Sequence, residues 1–174
     1  MPWAKRFRCT DAMPRIVLFQ PQIPPNTGNV ARTCAATRTE LHLIEPLGFE
    51  ISDRTLKRAG LDYWPWVDLH RHSDWSAFRE QQQRRGGRLL ALSRHGSQPY
   101  TQLRYQSDDW LLFGRETSGL PAEVVAEADA CLAIPMPGAI EHGGGVRSLN
   151  LATAAGVVLF EAIRQLELMP GGSA

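Results

Sequence analysis

The chain has 174 residues, of which 43% are hydrophobic and 21% are charged, and its formal net charge at pH 7 is +1. These values predict a soluble globular domain and exclude the fibrous, collagen-like and intrinsically disordered classes. The longest apolar stretch, at 149–163, contains polar residues and is shorter than the roughly 20 residues of a membrane span, so it predicts a buried helix and no membrane association.

The two ends of the chain differ in character from its middle. The first twelve residues are basic but lack the apolar segment of a secretory signal, which predicts a cytoplasmic protein. Because Met13 directly precedes the first predicted strand, we expect a poorly ordered extension at 1–12, one folded domain at 13–168 and a flexible end at 169–174.

Predicted strands and helices alternate along the chain. Short apolar runs bounded by turn-forming or charged residues predict strands at 15–20, 41–45, 66–70, 89–93, 110–114 and 131–134. Helical spacing and capping residues predict helices at 29–36, 53–59, about 74–85, 122–128 and 148–166. This alternation is typical of βαβ units, so we expect a single α/β domain with a mostly parallel sheet and helices on both faces.

Capping residues predict where two of the helices begin. The adjacent prolines of 24–28 exclude a helix from that segment, so Asn26 or Thr27 is expected to cap the helix that follows. Ser73 or Asp74 is expected to cap the polar helix that ends at a pair of glycines.

The charges are distributed unevenly along the chain. Between Arg54 and Arg104 there are ten Lys or Arg and four Asp or Glu, whereas the segment from Tyr105 to Ala174 has three and nine. Seventeen of the nineteen basic residues are arginine, whose planar guanidinium matches phosphate and stacks on bases. A basic middle segment is compatible with nucleic-acid binding, although a solvated surface gives the same pattern.

Residue types that ligate metals do not cluster in the sequence. Cys9, Cys34 and Cys131 are far apart and form no C-x-x-C pair, which excludes a disulfide framework and a cysteine zinc site. His70 and His72 lie on one face of an extended segment, but no carboxylate or cysteine group accompanies them. We therefore expect reduced thiols, surface histidines and no metal.

Three loops that follow predicted strands are candidates for a ligand site, since sites in parallel sheets lie outside the carboxyl ends of the strands. They are 21–32, 114–121 and 135–150, and each combines glycine or proline with polar residues. The second has the glycine spacing of a nucleotide-phosphate loop, but Leu120 and Pro121 stand where lysine and a hydroxyl residue are required. A nucleoside-triphosphate site is therefore excluded. No G-x-G-x-x-G follows the first strand, so a dinucleotide-dependent oxidoreductase is unsupported. The sequence contains no G-x-S-x-G, so a serine hydrolase is unsupported as well.

Several stretches of the chain, in the same order, resemble one family. They are Ile23–Arg32, Leu41–Gly48, Arg58–Tyr63, Leu112–Pro121, Ile134–Met136 and Val146–Leu151. These stretches are similar to the trefoil-knotted SPOUT class of RNA methyltransferases, and most closely to the enzymes that methylate the ribose 2′-oxygen of the wobble nucleotide of tRNA. The resemblance implies a C-terminal trefoil knot, S-adenosylmethionine as methyl donor and S-adenosylhomocysteine as product. It also implies a homodimer with composite active sites that acts on tRNA and not on DNA.

The resemblance also implies which residues form the site. The methyl donor would contact Leu92, Gly114, Glu116, Ile134, Met136, Ser148 and Leu149. The target ribose would lie among Asn29, Arg32, Ser148 and Asn150. Since a guanidinium stays protonated and has no acceptor, we expect Arg32 to hold the adjacent phosphate and stabilise the developing oxyanion, while Ser148 or Asn150 orients the hydroxyl. Without the resemblance, Leu92 and Ile134 would be interpreted as core residues and Asn150 as a helix cap.

If the resemblance holds, the basic middle segment would bind tRNA phosphates. Its candidate residues are Arg54, Lys57, Arg58, Arg84, Arg85 and Arg88. Tyr63, Trp64 and Trp66 would stack on bases or pack in the core or a dimer interface. Two other interpretations stay open: the same chemistry on another tRNA or rRNA nucleotide, and a non-catalytic knotted RNA-binding protein. The loop at 137–145 is longer than the family's usual link and would close over the donor or be mobile.

Overall fold

Seven strands form one sheet in the computed structural model, which describes residues 13–50, 63–138, 146 and 148–166. They are β1 (Arg15–Phe19), β2 (Leu41–Ile44), β3 (Leu69–His72), β4 (Leu89–Leu92), β5 (Gln98–Pro99), β6 (Trp110–Phe113) and β7 (Ala130–Ala133). Every neighbouring pair is parallel, and the order across the sheet is β3-β2-β1-β6-β4-β7-β5. The prediction of an α/β fold with a parallel sheet is confirmed.

Helices and short 3₁₀ turns connect the strands. The helices are α1 (Pro24–Thr37), α2 (Trp75–Arg85), α3 (Ala122–Ala126) and α4 (Leu151–Gln165), and the 3₁₀ turns are Trp64–Trp66 and Tyr100–Gln102. Within the described ranges, no helix has both the length and the apolar character needed to cross a membrane.

Some predicted features lie outside the described residues. They are the helix at 53–59, the chain ends at 1–12 and 169–174, and the loop at 139–145 together with Arg147. The predicted trefoil knot depends on the path of this link between β7 and α4, so the knot stays a prediction.

The central strands are buried on both faces. In β1, Ile16 and Leu18 belong to the core cluster formed with α1 and α4, whereas Val17 and Phe19 belong to the cluster formed with α2 and α3. The side chains of β6 divide between the two clusters in the same way. Since both faces are covered, these strands are continuous apolar runs without polar alternation. Among the cysteines, burial raises the pKa of the Cys34 thiol to about 12, so this free thiol is protonated and inert at neutral pH.

Helix α1 begins earlier than predicted. It starts at Pro24, so the expectation that 24–28 is not helical is wrong. Proline is tolerated in a first turn because that N–H has no intrahelical acceptor. As a result, neither Asn26 nor Thr27 caps the helix; both are buried within it, and the capping position falls on Ile23, which makes no side-chain cap bond. In contrast, Asp74 caps α2 as predicted, since its carboxylate accepts the N–H of Ala77 at 2.8 Å.

The third strand lies further along the chain than predicted. Expected at 66–70, it occupies Leu69–His72, and Trp64–Trp66 forms a 3₁₀ turn with Pro65 in its first turn. The side chain of Trp66 is 72% exposed, so its apolar character did not indicate a buried strand. Sequence reasoning also missed β5, whose two residues extend the sheet beside β7.

Two histidines on neighbouring strands, His42 on β2 and His72 on β3, belong to a buried chain of hydrogen bonds. His42 is fully buried and His72 is 4% exposed, which corrects the expectation that His72 is a surface histidine. His42 Nε2 lies 3.1 Å from a Glu40 carboxylate oxygen, and His42 Nδ1 lies 2.9 Å from His72 Nε2. Because the carboxylate can only accept, His42 Nε2 donates to it and His42 Nδ1 accepts the Nε2 proton of His72. Both rings are neutral in this arrangement; burial lowers the pKa of His42 and, with the nearby histidines, lowers the pKa of His72 to about 4.

A second group, which shares Glu40 and His42 with this chain of hydrogen bonds and adds His70, has the spacing of a metal centre but not its orientation. Ligand atoms of Glu40, His42 and His70 lie within 4.8 Å of one another. However, the rings of His42 and His70 are stacked 4.5 Å apart at an interplanar angle of 9°, so the planes that contain their lone pairs are nearly parallel and do not meet at one point between the rings. In addition, both oxygens of Glu40 accept hydrogen bonds from Arg85, at 2.6 and 2.7 Å. A dication would have to displace that guanidinium, so these residues do not fit a metal.

Acidification is expected to destabilise the fold in a defined pH window because of His72. The unfolded chain binds a proton at the ordinary histidine pKa of 6.5, whereas folded His72 resists protonation until about pH 4. The stability that depends on neutral His72 is therefore present above pH 6.5 and is lost progressively as the pH falls from 6.5 to 4. Urea unfolding at a series of pH values measures this loss. The variant His72→Gln can still donate to His42 but cannot titrate, so its free energy of unfolding should fall less steeply over this window; equal slopes would contradict the assignment.

Candidate active site

A cavity of about 510 Å³ lies at the carboxyl ends of β4, β6 and β7, which is within the usual size range of small-molecule sites. Each of these strands ends in a loop containing glycine or proline, where the backbone can approach a ligand. The residues that the resemblance implies for the methyl donor all line this one cavity: Leu92, Gly114, Glu116, Ile134, Met136, Ser148 and Leu149. Their common location is observed, and their roles stay a prediction.

The loop that follows β6 folds back on itself at Gly114. A Cβ atom at this position would lie 2.3 Å from the carbonyl carbon of Gly119 and 2.4 Å from the nitrogen of Leu120. The turn is closed by hydrogen bonds in both directions between the backbones of Arg115 and Gly119, at 2.9 and 3.2 Å. Gly119 has a φ of +71°, which favours glycine. The two glycines are therefore explained by the closure of this turn, which forms one wall of the cavity.

Glu116 connects that turn to the amino end of α1. One carboxylate oxygen accepts the backbone N–H of Gln22 at 2.9 Å, and the other accepts the backbone N–H of Ile23 at 3.1 Å and the side-chain amide of Asn26 at 3.2 Å. Since α1 has no side-chain cap of its own, this carboxylate supplies the cap from a distant part of the chain and complements the helix dipole. Glu116 lines the cavity as predicted, but its two oxygens are engaged with α1.

Asn26 and Asn150 extend the connection to α4. The side-chain oxygen of Asn26 accepts the side-chain amide of Asn150 at 2.8 Å. The oxygen of Asn150 caps α4 by accepting the backbone N–H groups of Ala152 at 2.9 Å and Thr153 at 3.4 Å. The loops after β1 and β6 and the start of α4 are thus joined by one series of hydrogen bonds, from Glu116 through Asn26 to Asn150.

The four predicted catalytic residues fall into two groups. Ser148 and Asn150 line the cavity. Asn29 and Arg32 are exposed on α1 and do not line it. The guanidinium of Arg32 lies 4.7 Å above the ring of Tyr63, whose hydroxyl donates to a backbone carbonyl of α1 at 2.7 Å.

Sequence reasoning missed Asn26, Arg94 and His95, which line the cavity. Asn26 was missed because the predicted helix began too late, and the helical register that starts at Pro24 turns Asn26 inward and leaves Asn29 outside. Arg94 and His95 belong to the loop after β4, which was not among the three candidate loops. The position of this loop directly after a buried strand could have identified it.

The described members of the predicted RNA-binding set lie away from the cavity. Arg84 pairs with Glu80 at 2.7 Å, Arg85 pairs with Glu40, and Arg88 pairs with Asp109 at 2.8 Å. Because Arg88 directly precedes β4, this group is at the amino-terminal edge of the sheet. Three other candidates, Arg54, Lys57 and Arg58, lie outside the described residues. An RNA-binding role for this set stays a prediction.

Replacing Glu116 by glutamine is expected to lower the free energy of unfolding by about 1–2 kcal/mol. The amide group would turn a donor toward one of the backbone N–H groups that the carboxylate accepts, and the charge that complements the helix dipole would be lost. Urea unfolding measures the change. Glu123→Gln is the matched control, since Glu123 is exposed in the first turn of α3. If both variants were equally stable, Glu116 would not hold α1.

Comparisons with known proteins agree with this architecture. The SpoU rRNA Methylase family matches residues 13–160. A protein from Synechocystis sp. is 56% identical over 154 residues, which cover 88% of this chain and 97% of that protein. The tRNA (cytidine(34)-2'-O)-methyltransferase of Escherichia coli is 45% identical over 154 residues, covering 88% of this chain and 94% of the enzyme.

Solved structures give the same result. A structure described as giving insight into 2-OH methylation of C/U34 on tRNA has 52% sequence identity and a TM-score of 0.81, covering 90% of this chain and 98% of that one. An AdoMet-bound rRNA methyltransferase from Sinorhizobium meliloti has 29% identity and a TM-score of 0.76, covering 92% of this chain and 59% of that one. With the family matched over most of its length, this chain belongs to the SpoU methylase family.

Proposed function

We propose that the chain is an enzyme that transfers a methyl group from S-adenosylmethionine to the ribose 2′-oxygen of the wobble nucleotide of tRNA, a cytidine or a modified uridine. One observation carries the proposal: the residues implied for the methyl donor meet in a single cavity at the carboxyl ends of the strands. The name of the 45% identical Escherichia coli relative supports the nucleotide. The reaction would take place in the cytoplasm.

The cavity fits the proposed cofactor in size and chemistry. Leu92, Ile134 and Leu149 give apolar walls on which an adenine ring can pack, and the turn at Gly114 brings backbone groups to the same space without a side chain. A Cβ at Gly114 would prevent that turn from closing. When bound, S-adenosylmethionine supplies an electrophilic sulfonium methyl group and becomes S-adenosylhomocysteine. We propose no metal for this reaction.

The chain's own residues would orient the 2′-hydroxyl and stabilise its developing negative charge, while the hydroxyl proton would pass to solvent water. Because a guanidinium has no acceptor, Arg32 would act by holding the adjacent phosphate and stabilising the oxygen rather than as a base. The side chain of Asn150 is engaged on both its oxygen and its nitrogen, so it would position α1 against α4. Ser148 is exposed in the cavity and is the better candidate to orient the hydroxyl.

A homodimer with composite active sites is supported by the separation of the catalytic residues. Arg32 and Asn29 are exposed and do not line the cavity of their own chain, whereas Ser148 does. A second copy would bring Arg32 to the cavity from outside. Phe160, on the outer face of α4, is 46% exposed and would be covered in such an assembly.

The reaction itself can be tested with the purified protein, labelled S-adenosylmethionine and total tRNA, followed by mapping of the labelled nucleotide. We expect the label on the ribose of the wobble nucleotide. A label at another tRNA position, or on rRNA only, would contradict the proposed target while retaining the chemistry. Binding of RNA and S-adenosylhomocysteine without turnover would contradict the enzyme assignment.

The composite site predicts complementation between two inactive variants. Arg32→Ala and Ser148→Ala should each lose activity, but their co-expression should restore about a quarter of the wild-type rate. Random pairing makes half of the dimers mixed, and each mixed dimer has one site with both residues intact. Circular dichroism of each variant controls for folding. A co-expressed pair no more active than either variant alone would mean that each site is built from one chain.

A further inference from the structure

Among the residues that the structure describes, no carboxylate pairs with the guanidinium of Arg94, which is a cation at the mouth of the cavity. Several other described arginines pair with carboxylates, for example Arg71 with Glu45 and Arg79 with Glu127. Within the described part of the chain, Arg94 makes no such pair; its Nε–H donates to His95 Nε2 at 2.9 Å. This bond fixes one edge of the guanidinium, and no described residue accepts from its two terminal NH₂ groups, which can bind a ligand.

The other charged groups of the cavity are already engaged. The carboxylate of Glu116 accepts the N–H groups at the start of α1. Arg115 donates to the side-chain oxygen of Gln20, and its guanidinium lies 5.3 Å above the ring of Phe19. Arg94 is exposed and is therefore the charge that an approaching polyanion meets at the rim.

Arg94 is carried by a rigid turn after β4. The backbone N–H of Ser93 donates to the carbonyl of Leu132 at 2.9 Å, and that of Ser97 donates to the carbonyl of Cys131 at 3.1 Å. Gly96 packs so closely on β7 that a Cβ there would lie 2.2 Å from the carbonyl carbon of Leu132. The turn is thus fixed to the sheet on both sides of Arg94, and a rigid base lowers the entropy cost of placing the side chain on a ligand.

We propose that Arg94 binds a backbone phosphate of the RNA strand beside the ribose to be methylated, and so positions that strand at the mouth of the cavity. This inference rests on the proposed function. A planar guanidinium with two free NH₂ groups can hold phosphate oxygens in a bidentate manner. The sulfonium group of the proposed methyl donor is positive and would be repelled by the guanidinium of Arg94. The negatively charged RNA backbone is therefore a better ligand for this guanidinium than the sulfonium group.

The test uses Arg94→Gln, which removes the charge but keeps a long polar side chain. Binding of a fluorescent anticodon stem-loop RNA is measured by anisotropy over a range of salt concentrations. We expect the Kd for RNA to rise about ten-fold. The slope of log Kd against log salt should fall by about 0.7 to 1, as for the loss of one phosphate contact. Arg94→Lys keeps the positive charge but cannot make the bidentate contact. Its Kd for RNA should therefore lie between those of the wild-type protein and Arg94→Gln.

Arg104→Gln is the matched control. Arg104 is exposed, and its carbonyl accepts a hydrogen bond from Arg88 at the amino-terminal edge of the sheet, away from the cavity. This variant loses the same charge, so it should affect RNA binding much less than Arg94→Gln. Equal effects of the two variants would overturn the proposal, because only the net charge would matter.

Binding of S-adenosylhomocysteine, measured by calorimetry, separates the remaining outcomes. Arg94→Gln should leave this affinity unchanged. If the cofactor product bound more weakly while RNA binding was retained, Arg94 would hold the carboxylate of the cofactor, and the proposal would be wrong. Failure of the wild-type protein to methylate tRNA would instead contradict the proposed function, whatever the Arg94 variants do.

Discussion

The cavity depends on the carboxylate of Glu116, which holds the amino end of α1. Pro24 and Pro25 begin this helix but provide no N–H, so the donors at its start belong to Gln22, Ile23 and the side chain of Asn26. Glu116 accepts all three from the loop after β6, and Asn26 passes the connection on to Asn150. The apolar core sets the positions of the strands, whereas these polar contacts set the positions of the loops that surround the cavity.

The sequence predicted the parts of the fold whose physical cause is local. The continuous apolar runs of β1 and β6 identified buried parallel strands, and Asp74 identified the start of α2. The start of α1 was missed because the adjacent Pro24 and Pro25 argue against a helix, and no local side chain marks its beginning; the carboxylate there comes from Glu116, more than ninety residues away. For the same reason the sequence could not show that Asn26 faces the cavity and Asn29 does not: that difference depends on a helical register fixed by tertiary contacts.

The arginines of the basic middle segment have different surroundings in the structure. The basic middle segment suggested a surface for nucleic acid, yet Arg84, Arg85 and Arg88 each hold a carboxylate at the amino-terminal edge of the sheet. Arg94 belongs to the same segment but lies at the opposite edge, and no carboxylate of the described ranges pairs with it. Counting charges along the chain cannot separate these cases, because ion pairs form between residues far apart in sequence.

The double role of Asn150 restricts how a ligand can reach the cavity. Its oxygen caps α4 and its amide nitrogen is bonded to Asn26, which in turn is bonded to Glu116. Swinging α1 or α4 outward would break several of these bonds together and expose the uncapped end of a helix. These bonds therefore oppose a separation of the two helices at their amino ends, beside the cavity.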